Sequence, residues 1–316
     1  MKILVTGSCG FIGSHLCEAL LRIPSVYIRG IDAFIGPTSL PLKSVYINNY
    51  INHPRFELVV DNLLTYDLST LLNDIDIVYH LAAIPGVRKS WGKDFDPYVE
   101  NNILVTQRLL EACKQADVKA FIYASTSSVY GHASNKVSEN ACLSPLSPYG
   151  VTKLTGEYLC HVYQQNHDLP VVILRFFTVY GPRQRPDMFF HRLIKRILLD
   201  EPITIYGDGL QTRDFTYIDD CINGTMNVLN QHQQLIGETI NIGGLERASV
   251  LDTISLLESI TNKTVNKEFL PQPIGEPKHT WADISKAEKL LKYKPSTNLY
   301  NGLSKQYHYL KKVYWR

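Results

Sequence analysis

The sequence predicts a doubly wound α/β fold, a parallel sheet covered by helices on both faces, with a smaller α/β lobe beside it. Three observations predict it. Short apolar runs alternate with helix-patterned segments through residues 1–180, a glycine-rich turn follows the first run directly, and a carboxylate closes the second run. At 316 residues the chain also exceeds the size at which one core keeps growing. Two lobes are therefore expected, residues 1–180 and 181–316, with an interleaved boundary.

The first strand is expected at residues 2–6, and the next at 26–31, 56–60, 75–80, 120–125 and 171–176. Helical periodicity falls between them at about 13–22, 97–115 and 148–165. Strands spaced by helices imply parallel pairing, since each crossover returns the chain to the same edge. After Gly181-Pro182 the texture changes. Helices are expected near 188–199, 219–231, 249–261 and 285–291, with short strands such as 202–206, and Pro and Gly cluster at 271–277. This half reads as a lobe against the carboxyl edge of the sheet that shares a strand with it.

Composition narrows the function classes. Hydrophobic residues make up 45% and charged residues 20%, the profile of a soluble globular protein. With 32 basic against 30 acidic residues, no excess of positive charge is available for nucleic acid. The six cysteines are scattered, with no C-x-x-C pair, and fit neither a disulfide framework nor a zinc site. Reduced thiols, no metal and a cytoplasmic location are expected. No apolar run precedes a cleavage site or reaches transmembrane length, so no membrane partner is expected.

Gly7, Gly10 and Gly13, with Phe11 and Ile12 between them, close the first strand and open the first helix. Small residues here let the backbone reach a pyrophosphate, which then faces the free N–H groups and positive dipole end of the helix. By itself the G-x-x-G-x-x-G spacing fits a tight turn equally well. Asp32 adds weight. At the end of the second strand it can accept both hydroxyls of an adenosine ribose and repel a 2′-phosphate, which favours NAD over NADP in a Rossmann-type sheet. Asn62, Leu63, Leu81, Ala82 and Ala83 follow at the next strand ends, where such sheets bind ligands. His80 reads as a neutral histidine bonded to backbone rather than as a catalyst.

Tyr149 and Lys153 carry the chemistry. Pro148 suits a first helical position and places the two four apart on one face. A free tyrosine, with a pKa of about 10, is a poor base at neutral pH. A nearby ammonium and the positive nicotinamide would stabilise the phenolate. Tyr149 then takes a proton from a hydroxyl whose carbon gives up a hydride. In a chain with 19 tyrosines, Y-x-x-x-K alone is core packing. Behind the glycine turn, Asp32 and a fifth strand running into Ser125-Thr126-Ser127-Ser128, the functional reading prevails, and Thr126 or Ser127 can bond the reacting oxygen.

These segments, with 175–182, 207–215 and 241–243, resemble the extended short-chain dehydrogenase/reductases over nearly the whole chain. The resemblance implies bound NAD, a nucleotide sugar oxidised and re-reduced at C4, and Arg213 on the diphosphate. Related dehydratases carry Asp-Glu after the threonine, and related decarboxylases a glutamate at the position of Ser128. Neither carboxylate is present. Residues 85–92 and 183–188 are similar to the UDP-glucuronate 4-epimerases, which implies a UDP-sugar substrate. Its carboxylate would meet Thr126, Ser127, Ser128 and Thr178, with Arg88 and Arg185 nearby. A homodimer is the expected assembly. Asn62 replaces an aspartate of the pattern, Val105 a glycine, and an arginine is missing before Gly275-Glu276. Glu276 is still expected on the uridine ribose, while the second cation for the diphosphate is unassigned. Two rivals stand: 4-epimerization of a neutral UDP-hexose or UDP-N-acetylhexosamine, and a non-catalytic NAD-binding regulator.

Overall fold

A computed structural model describes residues 1–133 and 135–314. In chain order the elements are β1 (Lys2–Thr6), α1 (Phe11–Leu20), β2 (Tyr27–Ile31), α2 (Leu40–Ile47), β3 (Phe56–Val59), α3 (Leu68–Leu72), β4 (Ile77–His80) and α4 (Asp96–Tyr98). Then come α5 (Val105–Cys113), β5 (Ala120–Thr126), α6 (Pro148–His167), β6 (Val171–Phe176), β7 (Val179–Tyr180), α7 (Phe189–Leu198) and β8 (Ile203–Tyr206). The chain ends with β9 (Thr212–Tyr217), α8 (Ile218–Gln231), β10 (Thr239–Ile242), β11 (Glu246–Ser249), α9 (Val250–Thr261), β12 (Lys267–Leu270), α10 (Ser285–Leu291) and α11 (Leu299–Tyr314).

Among the described residues, seven parallel strands form the main sheet in the order β10-β6-β5-β4-β1-β2-β3. Alternation along each strand builds two cores. Ile3, Val5, Ile77, Tyr79, Ile122, Val172 and Leu174 pack on one face with α1 and much of the second lobe. Leu4, Val78, Phe121, Tyr123, Val171 and Ile173 pack on the other with residues of α3, α5 and α6. Successive side chains of a strand point to opposite faces, so strands covered on both sides read as unbroken apolar runs. The chain leaves β1 toward β2 and β3, then returns to its other side with β4. That reversal opens a crevice at the carboxyl ends of β1 and β4.

The outermost strand, β10, comes from the second half of the chain and pairs with β6 from Thr239–Ile173 to Ile242–Phe176. Small sheets β11-β9-β7 and β12-β8 complete the other lobe. The helix expected at 97–115 is broken into α4, a π-helical stretch at Val99–Leu104, and α5. Within that stretch Asn102 turns inward, fully buried. Its amide accepts from Ile84 N–H at 2.7 Å and donates to Ile84 C=O and to Thr152 Oγ1 at 3.0 Å each.

Candidate active site

All the residues singled out from the sequence as cofactor, catalytic or substrate contacts line one cleft of about 730 Å³ at the carboxyl end of the sheet. Its floor begins at the glycine turn. Gly7 has φ +68°, and a Cβ there would lie 3.0 Å from the Ala82 backbone; one on Gly13 would lie 2.1 Å from Gly7 C=O. No side chain fits at Gly13, so α1 packs directly under the turn with its N-terminus facing the cleft.

Asp32 is buried at the end of β2, and its carboxylate accepts from Cys9 N–H (3.0 Å), Phe34 N–H (2.8 Å) and Lys43 Nζ (2.7 Å). Lys43 was not legible in the sequence. It sits on α2, a helix that the periodicity did not reveal, and so was not placed beside Asp32. Asn62 spends one lone pair on Leu64 N–H at 3.0 Å, closing its own turn and leaving the other free.

His80 is neutral at the end of β4, because burial drives its pKa down to about 3, with Lys153 adding to the effect. Its partners, however, are hydroxyls rather than backbone. Thr106 Oγ1 donates to Asn102 C=O at 2.8 Å and therefore accepts from His80 Nε2 at 3.0 Å. Thr6 Oγ1 then donates to His80 Nδ1 at 2.8 Å while accepting from Leu81 and Ala82 N–H at 3.1 and 3.0 Å. Through Asn102 and Thr152, whose hydroxyl donates to Tyr149 C=O at 2.8 Å, this chain reaches α6. Hydrogen bonds thus join the strand under the glycine turn to the helix that carries Tyr149.

Helix α6 starts as its sequence dictates. Ser147 caps it, accepting from Gly150 N–H at 3.1 Å, and Pro148 occupies the first turn. Burial raises the Tyr149 phenol above its ordinary value, and Arg185 and then Thr126 oppose that rise. Lys153 lies over the face of Tyr123, 4.1 Å from the ring centroid. Burial lowers its pKa to about 7, against the pull of Cys160 and Glu157. The ring of Tyr98 stands edge-on to Tyr149, and its hydroxyl donates to Gly86 C=O at 2.9 Å.

Thr126, Ser127 and Ser128 run from the end of β5 into a single 3-10 turn, with Thr126 Oγ1 accepting from Ser128 N–H at 3.2 Å. Thr178 lines the cleft with them. Arg185 is held by both oxygens of Asp187, each at 3.1 Å. Farther out, Glu276 bridges two guanidinium groups, Arg88 at 2.5 Å and Arg213 at 3.4 Å, and Arg88 stacks 4.2 Å above Tyr206. Glu276 thus brings Arg88 and Arg213 to the same end of the cleft. Asp187, Tyr98 and Arg192 belong to this neighbourhood as well; Asp187 fell inside the 183–188 stretch without being singled out, and no local pattern marked Tyr98 or Arg192. Among the described residues no cluster of three or more His, Cys, Asp or Glu is placed to hold a metal ion, and no helix is long and apolar enough to cross a membrane.

Comparison with known proteins gives the family. The model of the NAD dependent epimerase/dehydratase family matches residues 3–243. The chain is 59% identical to the "Uncharacterized UDP-glucose epimerase YtcB" of Bacillus subtilis (strain 168), over 99% of each chain. It is 39% identical to the UDP-glucuronate 4-epimerase of Thermodesulfobacterium geofontis (strain OPF15), over 98% of this chain and 95% of that one. Among solved structures it superposes on UDP-glucuronic acid 4-epimerase from Bacillus cereus in complex with UDP-glucuronic acid and NAD. There the TM-score is 0.98 and the identity 62%, over 99% of this chain and 100% of that one.

Proposed function

Because this chain belongs to the NAD dependent epimerase/dehydratase family, we propose that it interconverts UDP-glucuronate and UDP-galacturonate by transient oxidation at C4. It is an NAD-dependent isomerase. One observation carries the choice of reaction: the hydroxyls of Thr126, Ser127, Ser128 and Thr178 line the same cleft as Tyr149 and Arg185, with no carboxylate at positions 127 or 128. Dehydration or decarboxylation on this frame lacks its acid/base group there, and a sugar carboxylate finds donors instead.

The glycine turn fits a dinucleotide, since Gly7, Gly10 and Gly13 line the cleft without side chains at the N-terminus of α1. Bound NAD supplies a reversible hydride acceptor for C4. Gly7, Gly10, Phe11, Ile12 and Gly13 receive the diphosphate of the dinucleotide at the N-terminus of α1. Asp32 and Lys43 receive the adenosine ribose, and Asn62, Leu63 and Leu81 to Ala83 border the rest of the groove. Tyr149 takes the C4 hydroxyl proton, Thr126 bonds the same oxygen, and Lys153 supports both. Arg88 and Arg213 take the sugar-linked diphosphate, with Glu276 turning to the uridine ribose. Arg185 and the four hydroxyls hold the carboxylate.

The test is to incubate the protein with UDP-glucuronate, UDP-glucose and UDP-N-acetylglucosamine and follow C4 configuration by NMR. UDP-galacturonate is expected, without CO₂ release. Turnover of the neutral sugars alone would transfer the assignment to the epimerase activity in the name of the Bacillus subtilis relative. Binding of NAD without turnover of any of the three would make the chain a regulator.

The same reading places residues 1–180 as the cofactor lobe and 181–316 as the sugar lobe. A reducing cytoplasm suits six unpaired cysteines, five of them buried. A homodimer is supported by an apolar stripe on α6, where Val151, Tyr158 and Val162 are exposed, together with exposed Val99 and Leu104 just before α5. Residues seven and four apart share a helical face. Light scattering should give twice the mass of one chain, and Tyr158→Glu should shift it toward the single-chain mass. An unchanged mass in that variant would place the interface elsewhere.

A further inference from the structure

The segment between β7 and Arg185 is tied to the cofactor helix by a residue in an unusual conformation. Arg183 is buried and adopts φ +64°, a left-handed backbone that favours glycine. An arginine in that conformation points to work done by its side chain. Its Nη2 donates to Glu18 Oε2 at 2.7 Å, and its Nη1 lies 3.5 Å from Ser14 Oγ. One residue earlier, Pro182 C=O accepts from His15 Nε2 at 3.0 Å. Ser14, His15 and Glu18 form one stripe of α1, the helix whose N-terminus faces the dinucleotide groove. From the other side, Gln184 is gripped by Gln306 at 2.8 Å and His191 at 2.6 Å. Arg185 then emerges into the cleft from a segment clamped on both sides.

We propose that Arg183 is a positioning residue that fixes Arg185 against helix α1, so that the helix seating the cofactor diphosphate also sets the position of the guanidinium that meets the sugar carboxylate. This rests on the epimerase reading above. The recognition chemistry is a carboxylate on the sugar ring, and the tie acts through placement, because Arg183 itself points away from the cleft toward Glu18. Glycine tolerates φ +64° without strain, so Arg183→Gly removes the tie and keeps the backbone path.

The experiment is isothermal titration of the NAD-loaded enzyme with UDP-glucuronate and with UDP, alongside steady-state kinetics. For Arg183→Gly, affinity for UDP-glucuronate should fall about tenfold and KM rise in parallel, from misplacement of a charge-assisted contact. UDP affinity should stay within about twofold and kcat within about threefold. Glu18→Gln, which keeps its shape and loses its charge, should move the same quantities in the same direction by about threefold, and it decides the matter if Arg183→Gly does not fold. Equal weakening of UDP and UDP-glucuronate would mean general damage, and no weakening in either variant would mean an inert anchor; both overturn the proposal. A wild type that does not prefer UDP-glucuronate to UDP would instead overturn the epimerase reading.

Discussion

Tyr149→Phe lowers turnover of UDP-glucuronate by about 10² or more while NAD stays bound, the usual scale for removing a positioned general base. The substitution deletes one oxygen and leaves the ring, which packs edge-on against Tyr98. Its effect therefore falls on proton transfer rather than on the shape of the cleft. Burial raises the phenol in this structure, so the phenolate depends on positive charge around it, and Arg185 is the first such contribution. The rate of the wild type should accordingly fall as pH drops. In Tyr149→Phe that dependence on the phenol should vanish together with the rate. Steady-state kinetics from pH 6 to 9, with cofactor content read by absorbance, makes the check. Turnover within threefold of wild type would remove Tyr149 from the role of base.

Glu157→Ala should destabilise the fold by about 3–5 kcal/mol, the range for breaking a buried ion pair from one side. Glu157 lies one turn beyond Lys153 on α6, and both it and Arg175 of β6 are nearly inaccessible. Its carboxylate accepts from Arg175 Nε at 2.9 Å and Nη2 at 2.6 Å, and from the Ser125 hydroxyl. Arg175 Nη1 also donates to Tyr130 at 2.9 Å, and Tyr130 to Asn241 at 2.7 Å. Alanine would strand a buried guanidinium without its carboxylate partner. Against a typical total of about 5–15 kcal/mol, the loss should appear as a drop of order 10 °C in Tm. The pair Glu157→Leu with Arg175→Met removes both charges and should recover part of it. A loss below about 1 kcal/mol for Glu157→Ala would show that the pair is not structural.

What could be read from the sequence followed a simple physical line. Strands buried on both faces must be apolar throughout, so β1, β4, β5 and β6 were visible, and glycines that admit no Cβ marked the turn under the cofactor. Tyr149 and Lys153 were visible because a helix fixes their spacing. What was hidden depends on neighbours distant in sequence. Lys43 meets Asp32 only because α2 folds back over β2, and Arg88 meets Arg213 only through Glu276. Helix α11 lies beyond the last element expected from the sequence and carries Gly302 in its first turn. Gly302 is there because a Cβ would lie 2.2 Å from the Tyr180 hydroxyl, so the helix keeps a weak residue in order to pack closely. The π-helical stretch escaped because what accompanies it, the bonding of Asn102 to Ile84 and Thr152, is tertiary.

Strand β10 has a consequence for how the chain is made. Strand β6 leaves the ribosome with its last residue, Phe176, but the strand that covers its outer edge begins only at Thr239. Until then the nascent sheet ends in Val-Val-Ile-Leu-Arg-Phe, an apolar strand with an open row of backbone donors and acceptors. The main sheet of the first lobe is therefore incomplete until nearly half of the second has been synthesised. A fragment ending near residue 180 would expose that edge permanently and associate with copies of itself. Because the main sheet draws its edge strand β10 from the second half of the chain, the two lobes fold together rather than in turn.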